Sequence, residues 1–391
     1  IWVMGIDIAQ HREIKGKVCS HLLQFLQWEM VLAHLVDVRL EFVDTMSPCQ
    51  PNVGNIAIIS YPIVSAIVRI YVWNTGHRQN HLRAMQGRPM FKDHVGGLSV
   101  FVYDEQGNFI ARHDAYNDAT SQPLKDPNYA MRINLEPGKY RFATFAFQKK
   151  YEDALAQPGA KFQIALPQQG DNITALHARL DREQGKVNNQ SQPLDTLWQG
   201  LSNELVEVKD LQVTRHTIGL VRDTKQLTIS LHQTDEPANI NADDFSYQIT
   251  NANGDISYDN SLLPDEELTY TPYYTWTTEF KDKEGNVKER TAHAALMFSR
   301  LIWHPAEEND KNAILTITNK TTGEEVARIN LADCLAQGRG AFEARQYSAQ
   351  EFLDREYDYK LDFFLQGNQW KYVQLSISIL DWSKRIQRVD F

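Results

Sequence analysis

The chain has 391 residues and a mass of 45.0 kDa, more than one hydrophobic core usually holds, so two domains are expected and a single small module is excluded. Hydrophobic residues at 42% and charged residues at 23% match a globular chain and exclude wholesale disorder or a coiled-coil rod. A net charge of -10 repels nucleic-acid phosphates, so no nucleic acid is expected as a partner.

The three cysteines, Cys19, Cys49 and Cys334, fit neither a zinc ribbon nor a dense disulfide framework. No basic n-region or clean apolar stretch opens the sequence at Ile1, and targeting information is expected to be missing from it. Leu22 to Val36 and Ile56 to Val68 are apolar-rich but too short for the roughly 20 apolar residues of a membrane span. Val36, Val38, Leu40 and Phe42 alternate with charged residues, which predicts a strand near 36–43 within an otherwise atypical segment, 1–90. Arg69 to Trp73 continues strand-like, and Asn74 to Pro89 reads as loop.

From Leu98 onward the sequence is a series of hairpins. Leu98 to Tyr103 and Phe109 to His113 flank the turn Asp104-Glu105-Gln106-Gly107-Asn108, and Tyr129 to Leu135 is joined to Tyr140 to Phe147 by Glu136-Pro137-Gly138-Lys139. Ala175 to Glu183 and Pro193 to Leu201 are expected as helices, and the polar stretch 184–192 breaks the pattern. Strands resume at Leu205 to Val208, Val213 to Leu220, Gln226 to His232 and Phe245 to Thr250, the last followed by the turn at Asn253-Gly254. Glu279 to Lys281 precedes the turn Asp282-Lys283-Glu284-Gly285-Asn286, Ile314 to Thr318 pairs with Glu325 to Leu331, and Gln374 to Leu380 is expected as the closing strand. One helix is predicted among them, Ala349 to Tyr357, with Ser348 and Glu351 as a capping box. Short strands with few helices predict an all-β chain of two antiparallel β-sandwich domains in tandem, 91–212 and 213–391.

Catalytic and metal motifs are missing from the sequence. The glycines form no nucleotide cradle, there is no Gly-x-Ser-x-Gly elbow, and no cysteine has a catalytic context. His77 and His81 are four apart but lack the glutamate of a zinc helix, and His216, His232, His293 and His304 are scattered singly. Asp243-Asp244 and Asp265-Glu266-Glu267 read as solvated turn ends rather than a carboxylate pair across a sugar cleft. Tyr270, Tyr273, Tyr274 and Trp276 offer either sugar-stacking rings or core residues, with Pro272 marking a strand edge. No catalytic, cofactor-binding or metal residue is assigned, and no cofactor is expected.

Several phrases carry a family resemblance. Leu98 to Gly107, Leu135 to Tyr140, Asp259-Asn260-Ser261-Leu262-Leu263-Pro264-Asp265 with Tyr270-Thr271-Pro272-Tyr273, Leu315 to Val326, and Tyr347 to Tyr357 with the strand ending at Trp382 resemble, in order and spacing, the FimB/Mfa-type fimbrial anchor subunits of Bacteroidales. The resemblance covers about residues 91 to 382. It implies transthyretin-like sandwiches and a non-enzymatic, surface-exposed outer-membrane lipoprotein that anchors a fimbrium and limits its length. Its partners would be the fimbrial shaft subunit, accessory tip subunits and, through an N-terminal lipid, the outer membrane. Lys17-Val18-Cys19 and Ser47-Pro48-Cys49 depart from the small-residue lipobox of that family. A tip adhesin or glycan-binding surface lipoprotein on the same sandwiches is the alternative, and a β-sandwich glycoside hydrolase a third reading.

Overall fold

A computed structural model describes residues 65–72, 91–210, 212–339, 343–367, 369–379 and 382–389. The strand expected near 36–43, the loop at 74–89, and Cys19, Cys49, His77 and His81 lie outside the described residues.

Two turns of the same sequence type organise two hairpins. Asp104 accepts the backbone N–H groups of Gln106 and Asn108 at 2.9 and 2.8 Å, and Gly107 sits at φ +84°. Asp282 repeats this with Glu284 and Asn286 at 3.1 and 2.8 Å, and Gly285 sits at φ +86°. Such a left-handed φ disfavours any residue with a Cβ. The first turn joins Gly97–Tyr103 to Phe109–Tyr116; the second joins Tyr274–Lys281 to Val287–Phe298.

An eight-stranded sheet builds the first sandwich. Its order is Phe109–Tyr116, Gly97–Tyr103, Gly138–Phe147, Leu197–Leu201, Val213–Arg222, Ser65–Val72 and Met131–Ile133, with Val206–Val208 added beside Gly138–Phe147. Val213–Arg222 turns the sheet back on itself: Val221 and Arg222 pair with Gln199 and Trp198, while Val213 to Leu220 run parallel to Ser65–Val72. This strand, expected at the start of the second domain, therefore pairs into the first sheet. Between the two parts lies a core that includes Leu98, Val100, Val102, Phe142, Trp198 and Ile218. Phe101 and Tyr103 point the other way into a second core, so this central strand is buried along its whole length.

The two stretches expected as helices are strands instead. In His177–Leu180, Ala178 and Leu180 are buried while Arg179 is exposed, the period of two of a strand. That strand pairs with Phe162–Ile164 on one side and with Asp255–Ser257, nearly 80 residues away in sequence, on the other. Leu197–Leu201 is held between Gly138–Phe147 and Val213–Arg222. Long-range pairing overrides the local helix preference of these residues.

The second sandwich packs two sheets. Six strands run in the order Tyr274–Lys281, Val287–Phe298, Lys225–Gln233, Asp358–Gln366, Gln369–Ile379 and Trp382–Val389, and four in the order Leu268–Tyr270, Phe245–Asn251, Ile314–Asn319 and Glu325–Asn330. Leu227, Ile229, Leu361 and Phe363 from the larger sheet share one core with Tyr247, Ile249, Leu315 and Ile317 from the smaller. Among the described strands pairing is antiparallel apart from Ser65–Val72 with Val213–Leu220 and Lys225–Gln233 with Asp358–Gln366. The strand expected to close the chain, Gln369–Ile379, is followed by Trp382–Val389.

Among the described residues two α-helices, not one, bridge the sheets of this sandwich. The predicted helix spans Ala349–Arg355, and Ser348 Oγ accepts the Glu351 N–H at 3.0 Å. Only half of the capping box forms, because the Glu351 carboxylate is held by Arg355 at 2.7 Å. The unexpected helix, Leu331–Ala336, is capped by Asn330, whose Oδ1 accepts the Asp333 N–H at 3.0 Å. Its residues Leu331, Ala332, Cys334, Leu335 and Ala336 are all buried, so it prolongs the apolar run of the preceding strand and leaves no change of period to read.

Candidate interaction surfaces

The acidic clusters and the histidines named from the sequence build no common site, although His232 and His293 are neighbours on paired strands and His232 lies 3.6 and 3.5 Å from Glu289 and Asp362. Asp243 and Asp244 are exposed in a single turn of 3-10 helix, and their carbonyl oxygens accept Lys320 Nζ and Lys320 N–H at 3.0 and 2.7 Å. His216 stacks on Phe142, and His304 lies 3.6 Å from Glu308. Among the described residues, no group of three or more His, Cys, Asp or Glu is placed to hold a metal ion. Cys334 is a free, buried thiol whose pKa burial pushes up to about 12. No helix among them is long and apolar enough to cross a membrane.

Asp265 is a correction to its reading as a solvated turn end. Its side chain is 4% exposed and is hydrogen-bonded to Arg182 from the first half of the chain, itself 7% exposed. Glu266, beside it, is exposed. Other contacts cross the same junction: His177 with Asp255, and Gln199 Nε2 donating to the Ser257 carbonyl. The Arg222 guanidinium lies 4.2 Å from the Tyr357 ring centre and 5.9 Å from that of Trp198, a cation held between rings of both sandwiches. Asn253, fully buried, donates to the carbonyls of Ser299 and Arg300 at 3.1 and 2.9 Å and accepts the Tyr270 O–H at 2.7 Å.

Where the chain passes from one sandwich to the other, Asp223 and Lys225 are both buried. Lys225 Nζ donates to the carbonyls of Asp354 and Glu356 at 3.3 and 2.9 Å, and Arg300 forms a bidentate pair with Asp354 at 2.9 and 2.7 Å. Burial pushes the Asp223 carboxyl up to about 7 and the Lys225 amine down to about 8, because both charged forms lose their water. Charge here holds backbone and helix in place; a cleft with two facing catalytic carboxylates is not what these residues build.

The aromatic run divides between core and surface. Tyr270 is buried, Tyr273 half-buried, and Tyr274 59% exposed. Trp276 stacks between Tyr274, at 5.2 Å and 16°, and His293, at 4.8 Å and 16°. His293 is fixed by Ser230 Oγ at 3.0 Å and Thr278 Oγ1 at 2.9 Å, and burial with Lys360 and His232 nearby lowers its pKa to about 4. The stack is therefore uncharged at neutral pH. Tyr274–Lys281 ends the six-stranded sheet, with a neighbour on one side only among the described residues.

The model of the Mfa2 family, fimbrillin-A associated anchor proteins Mfa1 and Mfa2, matches residues 68–388. The chain belongs to this family of fimbrial anchor proteins. The match begins inside Ser65–Val72, the strand seated between Val213–Leu220 and Met131–Ile133. Among solved structures, a candidate adhesin from Bacteroides thetaiotaomicron is 26% identical over 84% of this chain and 99% of its own, with a TM-score of 0.65. A candidate polysaccharide-binding protein from the same organism is 26% identical over 83% and 98%, with a TM-score of 0.61. The fimbrial anchor protein Mfa2 from Porphyromonas gingivalis shares the fold at a TM-score of 0.55 and 16% identity, over 82% and 98%. No curated protein matches the chain. Membership in the Mfa2 family makes this a fimbrium-associated protein of the cell surface, with fimbrial subunits as its partners.

Proposed function

We infer that the protein is a non-enzymatic base subunit that holds a fimbrium to the outer membrane and limits its length by strand-mediated contact with the shaft subunit. The observation that carries this reading is the place of Ser65–Val72, which fills a position between two strands of the first sheet. A subunit whose sheet is already completed by its own strand has no vacancy there for a neighbour's strand, and growth in that direction stops. An N-terminal lipid would supply the membrane attachment, and two signals hold far better than one acyl chain. The domain boundary that suits this reading lies at Asp223-Thr224, after the last strand of the first sheet. Pull-down of the purified shaft subunit from the same organism tests it: a specific complex is expected, and its absence would refute the contact.

A tip adhesin or glycan-binding protein is the second reading. The exposed Tyr274 ring favours it, as do the descriptions of the two Bacteroides thetaiotaomicron relatives. Binding on a glycan array that is lost in Tyr274→Ala, without shaft binding, would select it.

A further inference from the structure

The segment from Asp255 to Asp265 is fastened to the first half of the chain at both ends. Its strand Asp255–Ser257 pairs with His177–Leu180, the Ser257 carbonyl accepts Gln199 Nε2, and Asp265 is bonded to Arg182. Between these points the chain makes a tight turn. Ile256 bridges to Leu262, the Ser257 N–H donates to the Ser261 carbonyl at 2.8 Å, and the Asn260 N–H donates to the Ser257 carbonyl at 2.9 Å. Asn260 takes φ +68°, a left-handed conformation that asparagine adopts more readily than most residues with a Cβ. Its side chain reaches the Asp223 carboxyl.

Asp223 is 0% exposed, and no protein donor bonds either of its side-chain oxygens. The charged groups around it are engaged elsewhere. Lys225, two residues on, gives its Nζ to the Asp354 and Glu356 carbonyls, and Arg300 holds the Asp354 carboxylate of helix Ala349–Arg355. Arg222 lies over the Tyr357 ring, and Asp259, exposed beside Asn260, accepts the Ser261 N–H and O–H. An ionised Asp223 would therefore be a buried charge without a direct counter-charge, the costly case. Of the two ends of the Asn260 amide, Oδ1 is likewise buried without a partner. Two acceptors on neighbouring side chains, both buried, are satisfied together by one proton between them.

We propose that Asp223 is a neutral carboxylic acid whose O–H donates to Asn260 Oδ1, and that this proton latches the 257–261 turn to the passage between the two sandwiches. Burial pushes the carboxyl up while Arg300 and Lys225 pull it down, and burial prevails, leaving it at about 7. The latch is therefore closed below that pH and opens as pH rises through it, when an acceptor-only carboxylate faces the Asn260 oxygen. Opening is local, because the Asp255, Ser257 and Asp265 contacts with the first half of the chain do not involve this proton. The alternative arrangement turns the Asn260 amide so that Nδ2 donates to an ionised Asp223. The two differ in whether Asp223 carries the proton, which is measurable.

Infrared difference spectra of the full chain in heavy water, parent minus Asp223→Asn, test the proton directly. The carbonyl band of a neutral carboxylic acid is expected at about pH 6 and its loss by about pH 9. Asn260→Gly, which accepts the positive φ without strain, should shift that band to higher frequency, because the O–H loses its acceptor. Hydrogen exchange reads the latch. Protection of the Ser257 and Asn260 amides, corrected for the intrinsic rise of exchange with pH, should fall by about tenfold or more across that range in the parent. It should stay level in Asp223→Asn, whose Nδ2–H takes the place of the acid O–H. A parent without the band at about pH 6 would overturn the proposal, since Asp223 would then be ionised. A band indifferent to Asn260→Gly would also overturn it, as would protection that falls equally in Asp223→Asn.

Discussion

Removing the Asp265 carboxylate should loosen the join between the two halves of the chain. Arg182 and Asp265 come from opposite sides of the junction, are 7% and 4% exposed, and are hydrogen-bonded to each other. Arg179 is 4.0 Å from Asp265 but mostly exposed, and Glu266 is 3.9 Å from Arg182 and exposed, so neither substitutes for the pair. Asp265→Ala leaves a guanidinium buried without its counter-charge, a loss of about 3–5 kcal/mol. With a urea dependence of about 3 kcal/mol/M, the unfolding midpoint should fall by about 1–1.7 M. Equilibrium unfolding followed by tryptophan fluorescence measures it, since Trp198 sits beside the junction. The pair itself need not be stabilising: the desolvation of both ions offsets much of their attraction. Arg182→Met/Asp265→Leu should therefore recover most of the lost stability. An Asp265→Ala midpoint equal to that of the parent would refute the argument, as would a double variant no better than the single.

Four further substitutions test stability. Asp223, held up at about 7 by burial, keeps a proton that the unfolded chain, at 3.8, releases earlier. Its contribution is complete below about pH 4 and is lost as pH rises through 7, so Asp223→Asn should flatten stability across that window in pH-dependent melts. Asn253→Ala deletes three buried hydrogen bonds and strands the Tyr270 hydroxyl, and should lower stability by about 2–4 kcal/mol in thermal or urea unfolding. Gly285→Ala meets no atom within 4 Å but must hold φ +86°, at a cost of about 1–2 kcal/mol. Gly107→Ala should cost more, because its new methyl also meets Asn172 at 3.3 Å.

The hairpins turned at Asp104 and Asp282 are legible because their information is local, whereas the one expected across Glu136-Pro137-Gly138-Lys139 does not form: Met131–Ile133 pairs with Ser65–Val72, and Gly138–Phe147 with Gly97–Tyr103 and Leu197–Leu201. The Asp104 and Asp282 turns name their own hydrogen bonds, and period-two burial marks the strands they join. The stretch around His177–Leu180 reads locally as helix because what makes it a strand is Asp255–Ser257, a partner that no window of sequence contains. The same remoteness hid Asp265: in sequence it heads an acidic cluster, and only the fold brings Arg182 to it. The aromatic run was readable as mixed, with core and surface both open to it, but which ring went where depended on sheet order. Tyr270 lies on an edge strand of the small sheet with its ring turned into the core, and Tyr274 on an edge strand of the large one with its ring exposed. The fimbrial resemblance rested on phrases spread along the chain, and the family match confirms it over residues 68–388. Under the proposed anchor role no single residue would announce the function, since such a subunit would act through backbone edges and seated strands.

Fibre length is the most direct test of the anchor assignment. Shaft subunits from the same organism are polymerised with and without the purified chain, and lengths are measured by electron microscopy. Shorter fibres in proportion to the chain added are expected, with the label at one end only. Fibres of unchanged length with no terminal label would contradict it.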